Sequence, residues 1–360
     1  MRLIAVEQLE ENDVLGKSIY SENAMLLLSK GVCLTQALIG KLKNANIYYV
    51  YVEDEASAGI EPNMSISPEV KVKSVKKAER LLKQHINKME NSKTKYIDEK
   101  ILKGFQSIVD ELFEELGKNP DRLYNMVELM GTDMYTYSHS VNVTVLSIIL
   151  AVAMGYDQGK IKAIALGALM HDIGKLRVDQ NILNKPDRLT DAEFEEMKLH
   201  AEYGYALLRD DLTLSGITKQ IVYGHHERLD GSGYPRQLKG DQISPYTRIV
   251  AICDMFDAMT TDRIYQNKMP IYQAIDIMMA EAVRRIDSGL FKVMMENIAV
   301  YRPGETVMLE DGRKAVVIDV RKGYATRPIL RIIEDPHRMD YYEIDLKYEL
   351  STFIREIVPR

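Results

Sequence analysis

Between residues 68 and 299 the apolar residues recur every three or four positions, and after residue 303 they alternate. Val75, Ala78, Leu82 and Ile86 lie on one helix face, and Ile101, Phe105, Ile108, Leu112 and Leu116 on another. Stretches 137–154, 160–170, 192–208, 217–223, 248–259 and 271–285 continue this period, punctuated by Gly155, Pro186, Gly216, Gly231 and Pro270. Val307, Leu309, a turn at Asp311-Gly312 and then 315–320 read as a hairpin, with short strands to 357. The run 47–52 is rich in β-branched and aromatic residues and reads as a strand, and Thr35 is placed to cap a short helix over 35–44. The expected fold class is mainly α, an all-helical domain flanked by small β-rich N- and C-terminal modules. The expected division is residues 1–60, a helical connector 61–118, a main domain 119–300 and a C-terminal module 301–360.

Charge and cysteine usage limit the partners. The chain has 47 basic and 53 acidic residues, a net charge of −6, which argues against a long nucleic acid as partner. The basic run Lys71, Lys73, Lys76, Lys77, Arg80 and Lys83 reads as the wet face of an amphipathic helix. Cys33 and Cys253 are far apart and read as free thiols of a reducing compartment. The longest apolar stretch, 143–154, falls short of the ~18–20 residues of a membrane span. The N-terminus turns acidic at once and lacks a signal peptide's apolar run. A cytoplasmic protein is expected.

Five of the seven histidines fall in the helical region: His139, His171, His200, His225 and His226. His85 and His337 have polar neighbours and are expected to be solvated. His139 is in phase with Asn142, Leu146 and Leu150; His200 with Met197, Phe194, Gly204 and Leu207; Asp254 with Val250, Ile249 and Ala258. These polar groups therefore sit on inward faces, where leaving them unpaired is costly. A metal site offsets that cost by binding neutral imidazole and ionised carboxylate together. Imidazole and carboxylate without thiolate suit iron, manganese or zinc. Cys253 adjoins Asp254 but points about 100° away on a helix, so it belongs to the core.

Two motifs carry a resemblance. His171-Asp172-Ile173-Gly174-Lys175 is an HDxGK motif, and the segment from His225-His226-Glu227 through Asp230-Gly231-Ser232-Gly233-Tyr234-Pro235 is an HHExxDGxGYP signature. Asp254, Asp257-Ala258 and Asp262-Arg263-Ile264-Tyr265 follow in order. Over about residues 120–300 the chain resembles the HD-GYP family, a branch of the HD-type phosphohydrolases that hydrolyses bacterial cyclic di-GMP. The resemblance implies one metal held by His139, His171, Asp172 and Asp254. It implies a second that shares Asp172 and takes His200, His225 and His226. Such pairs of divalent cations, iron or manganese first and zinc as an option, lie about 3.5–4 Å apart and hold a hydroxide between them. Asp172 and Lys175 are then the catalytic residues, Lys175 contacting the scissile phosphate or protonating the leaving oxygen. Arg263 clamps phosphate and Tyr234 lines the substrate; Asp230, Gly231 and Gly233 shape the loop.

Two positions depart from the family pattern. Tyr135 stands where some members carry a glutamate for a third metal, so a two-metal site is expected. Gln266 stands where a basic residue is common, which removes one phosphate contact. The implied reaction opens cyclic di-GMP to linear pGpG, with GMP as an onward product. Another cyclic dinucleotide, such as cyclic GMP-AMP, and a non-catalytic nucleotide-binding adaptor are the alternatives. The helices over 67–118 leave a homodimer open.

Overall fold

A computed structural model describes residues 1–20, 26–45, 47–62, 65–92, 96–118, 123, 135–185, 187–261 and 271–359; at 89–92, 135 and 136 it describes the backbone alone. The N-terminal elements are β1 (Arg2–Ala5), β2 (Val14–Leu15), β3 (Ile19–Tyr20), β4 (Leu26–Leu28), α1 (Gln36–Asn44) and β5 (Tyr49–Glu53). Helices follow: α2 (Pro68–Ser92), α3 (Glu99–Gly117), α4 (Tyr135–Ala153), α5 (Gln158–Met170), α6 (Gln180–Leu183) and α7 (Asp191–Lys198). The series continues with α8 (His200–Leu208), α9 (Gly216–Gly224), α10 (Pro245–Thr260), α11 (Ile271–Glu281) and α12 (Ser288–Asn297). Strands close the chain: β6 (Thr306–Leu309), β7 (Lys314–Asp319), β8 (Ile329–Glu334), β9 (Tyr342–Asp345) and β10 (Ile354–Ile357). The mainly α architecture with small β-rich ends is the one that the two apolar periods imply.

The chain forms two compact units. One holds both ends, residues 1–72 and 295–360; the other holds residues 73–118 and 132–294. In the first unit β5 is the central strand of an antiparallel sheet ordered β1-β5-β2. Its core gathers Ile4, Leu15, Leu34, Ile39, Leu42, Val50 and Val52, each worth about 1.5–3 kcal/mol when fully buried. Thr35 caps α1, its hydroxyl oxygen accepting from the Leu38 N–H at 3.3 Å. The second sheet is antiparallel throughout, ordered β10-β6-β7-β8-β9. Its β6–β7 hairpin turns at Gly312, whose φ of +87° suits glycine.

Sequence distant segments close this unit. The Leu3 N–H donates to the Gly304 carbonyl at 2.8 Å, and the Arg331 guanidinium donates to the Ala58 carbonyl at 2.6 Å. A Cβ on Gly304 would lie 2.6 Å from the Met1 carbonyl oxygen, so the approach itself requires glycine.

The helical unit is built on α4. Val141, Val143, Val145, Leu146, Ile148, Leu150 and Ala151 are all buried, so this helix is apolar around nearly its whole circumference. It packs against α5 and α10, and α5 packs against α9. Helices α2 and α3 are tied by the Lys77 ammonium, which donates to Ser107 Oγ at 2.8 Å and Glu111 Oε1 at 2.7 Å. His85 corrects the expectation of a solvated residue. It is buried on α2 in phase with Val75, Ala78 and Leu81, with neither ring nitrogen hydrogen-bonded. Helix phase outweighed its polar sequence neighbours. Among the described residues no helix is long and apolar enough to cross a membrane.

Candidate metal centre

Five helices and a turn deliver the polar residues to one interior point. His139 lies on α4, His171 and Asp172 follow the last residue of α5, His200 opens α8, His225 and His226 follow α9, and Asp254 lies on α10. All seven come together in two groups, Asp172 with His200, His225 and His226, and His139 with His171 and Asp254. Within each group the ligand atoms lie within 4.8 Å of one another. Asp172 also borders the other group, its Oδ2 standing 3.3 Å from His171 Nε2 while its Oδ1 is 3.5 Å from His200 Nε2.

Local backbone geometry explains the HDxGK spacing. Helix α5 stops at Met170, and residues 173–177 continue as a tighter 3-10 turn. The Lys175 N–H donates to the Asp172 carbonyl at 2.9 Å. Side chains three apart eclipse in such a turn, so Lys175 stays beside Asp172 although the α-helix does not persist. Its ammonium donates to Asp172 Oδ2 at 2.6 Å and is partly exposed. Gly174 lies against α8, where a Cβ would come 1.8 Å from the His200 carbonyl oxygen.

The imidazoles are set for metal. His171 Nδ1 donates to the Ala168 carbonyl at 2.7 Å, His200 Nδ1 to Met197 at 2.7 Å and His225 Nδ1 to Val222 at 3.1 Å. His139 Nδ1 donates to Asp257 Oδ2 at 2.7 Å. Since these acceptors carry no proton to give, each Nδ1 holds the hydrogen, and each Nε2 of a neutral ring turns a lone pair inward. The Nε2 atoms of His200 and His225 are 3.2 Å apart. Two such lone pairs repel unless a cation stands between them. His171 Nε2 and Asp172 Oδ1 are buried without a hydrogen-bond partner. Orphaned acceptors, blocked tautomers and two buried carboxylates fit divalent cations.

Charge tuning agrees with that fit at Asp172, Asp254, His225 and His226 and opposes it at His139. Burial pushes the Asp172 carboxyl up, but His171, Lys175 and His200 outweigh it and hold it well below the usual carboxylate range. Asp254 is likewise held well below that range, burial being outweighed by His139, His171 and His226. Burial and neighbouring imidazoles push His225 and His226 well down, into the neutral form a ligand needs. Burial disfavours charge on His139 too, but Asp254 and Asp257 raise it to about 9. Cys253 is buried and pushed up to about 12, a core thiol.

A loop closes one side. The Tyr234 ring stacks on His226 at 4.6 Å between centroids and meets His200 edge-on at 6.2 Å. Gly233 lets the loop fold back, since a Cβ there would lie 2.4 Å from the His226 carbonyl oxygen and the Arg228 nitrogen. Asp230 Oδ1 accepts from the Ser232 N–H at 2.9 Å and its hydroxyl at 2.6 Å.

Residues 116–290 match the family model described as an HD domain, and residues 306–360 match a KOW domain associated with HD domain. A cyclic di-GMP phosphodiesterase of Pseudomonas aeruginosa is 38% identical over 212 residues, 59% of this chain and 51% of that protein. A cyclic di-GMP phosphodiesterase of Thermotoga maritima is 38% identical over 175 residues, 47% of each chain. The matched domain is an HD domain, and these relatives support its resemblance to the HD-GYP family. The 3'3'-cGAMP-specific phosphodiesterase 1 of Vibrio cholerae is also 38% identical to this chain, over 178 residues, 46% of the chain and 39% of that protein. The chain thus spans about half or less of the length of these relatives.

Three positions singled out in the sequence lie outside the described structure: Arg263, Gln266 and the side chain of Tyr135. Two further residues of this site were not singled out for a role. Glu227 is buried, and its carboxylate accepts the Arg236 N–H at 2.8 Å and the Leu238 N–H at 2.9 Å, pinning the loop that carries Tyr234. Asp257 is fully buried and fixes the His139 tautomer. Its signal was its place one helical turn after Asp254. Asp257→Asn is expected to weaken metal affinity about 10–100-fold with the fold intact, as for other residues that orient a ligand. Competition against a graded series of chelators measures this, and an unchanged affinity contradicts the assigned role.

Proposed function

We propose that the protein is a metal-dependent phosphodiesterase that hydrolyses a cyclic dinucleotide, cyclic di-GMP, to linear pGpG. The observation that carries the reading is the convergence of four Nε2 atoms with tied-off Nδ1 partners on Asp172 and Asp254, beside Lys175. His139, His171 and Asp254 would hold one divalent cation, and His200, His225 and His226 the other, with Asp172 shared. Iron or manganese is the proposed metal, with zinc compatible with the same donors. When bound, the cations supply Lewis acidity toward the phosphodiester and a hydroxide at neutral pH.

The chain's own groups do the rest. The Nδ1–H bonds hold each imidazole in one tautomer and orientation. Lys175, a cation at the partly exposed edge of Asp172, donates to a phosphate oxygen or hands a proton to the leaving 3' oxygen. Tyr234 lines the substrate beside His226, and Arg263 is the proposed phosphate clamp. Loading the protein with Mn(II) or Fe(II) without oxygen and following cyclic di-GMP by chromatography tests this. A pGpG peak absent from His171→Ala is expected; identical traces contradict the proposal. Relatives at equal identity act on 3'3'-cGAMP, so kcat/KM for both compounds decides which is preferred.

The site also sets a pH dependence. With His139 raised to about 9 by Asp254 and Asp257, the metal-free protein holds its proton near neutral pH, and a cation must displace it. Metal affinity is therefore expected to rise with pH until about 9, with a proton released on binding. Titration calorimetry in two buffers of different ionisation enthalpy reads this directly; heats that do not depend on the buffer contradict it. A homodimer and a cytoplasmic location complete the proposal. Light scattering at the monomer mass rejects the first, and recovery with the membrane pellet rejects the second.

A further inference from the structure

Helix α7 ends at Lys198, two residues before His200, and carries Phe194 one turn earlier. Phe194, expected on the inward face with His200, is instead 46% exposed, because α7 ends at Lys198 and His200 begins a new helix. The Lys198 ammonium lies 4.9 Å from the Phe194 ring centroid and 5.8 Å from that of Tyr234. Tyr234 in turn stacks on the ligand-group residue His226. One cation and two aromatic rings therefore adjoin at the edge of the group formed by Asp172, His200, His225 and His226. Lys198 has an ion pair with Glu195 at 2.6 Å, but the Glu195 side chain is 69% exposed. Such a pair is weak and screened, and an ammonium has three donors, so Lys198 can serve a further acceptor.

We propose that Lys198 selects a guanine base beside the ligand groups, donating to its O6 and N7 while the exposed Phe194 ring offers a face to stack on. This rests on the cyclic dinucleotide reading of the same site. Guanine presents two acceptors on that edge, whereas adenine places the N6 amine, a donor, where guanine has O6. A ring face stacks on either purine, so stacking supplies affinity and the cation supplies the choice. Loss of Lys198 must then change the ratio between substrates, which loss of a phosphate contact does not.

The test measures kcat/KM for cyclic di-GMP, 3'3'-cGAMP and cyclic di-AMP with the Mn(II)-loaded full chain. Variants are Lys198→Met, Lys198→Arg and Phe194→Ala. In Lys198→Met the preference for cyclic di-GMP over cyclic di-AMP is expected to fall roughly tenfold, the scale of one lost base-edge contact, with metal content unchanged. Lys198→Arg keeps the donors and is expected to restore the preference. Phe194→Ala is expected to raise KM for all three alike. If Lys198→Met slows all three equally, Lys198 is a phosphate contact and the inference is overturned. If the fully metallated wild type turns over none of them, the functional reading fails first, which the metal content makes visible.

Discussion

Asp172→Asn is expected to lower bound metal below the wild-type content and to cut kcat/KM by about a thousandfold or more, roughly 4 kcal/mol of transition-state stabilisation. Asp172 faces both ligand groups, through Oδ2 to His171 and Oδ1 to His200. Asparagine keeps the volume and one oxygen but loses the charge that a divalent pair needs. It also leaves the Lys175 ammonium without its anionic partner at 2.6 Å. Metal analysis alongside turnover separates these effects. A variant with wild-type metal content and a rate within tenfold of wild type contradicts the bridging role.

Gly174→Ala is expected to destabilise the helical unit by about 3 kcal/mol, the upper end for overpacking, and to impair activity as well. The added Cβ would lie 1.8 Å from the His200 carbonyl oxygen and 2.4 Å from the Gly204 nitrogen. Both are backbone atoms, and neither can rotate away. The turn carrying Asp172 and Lys175 must then separate from the helix carrying His200. A melting temperature lower by roughly 6–12 °C is the expected reading for a unit of this size. Gly216→Ala is the control: nothing lies within 4 Å of its added Cβ, and alanine at a helical position is neutral to mildly stabilising. Equal melting temperatures for the two variants contradict the packing argument.

Much of this was legible in the chain itself. Helical spacing marks α4, and the phase of each helix puts His139, His200 and Asp254 inward. What a linear pattern cannot carry is the joining of distant segments. Nothing local to Leu3 or Gly304 announces that their backbones meet, nor that Arg331 reaches the carbonyl of Ala58. Polar neighbours misled at His85, where the three-four spacing from Val75 was the better guide. The roles of Asp257 and Glu227 were hidden for another reason. Orienting a ligand or pinning a loop depends on a single hydrogen-bond direction, and residue type alone does not encode it. Lys198 reads as one more charged helix residue until Tyr234 is folded over beside it.

The central claim is that the two ligand groups hold a pair of cations that act on a cyclic dinucleotide. Protein purified without oxygen, counted for metal and given cyclic di-GMP with Mn(II) or Fe(II), tests it in one experiment. About two metals per chain and a pGpG product are expected. A protein that binds no metal, or that carries both and leaves every cyclic dinucleotide intact, contradicts it.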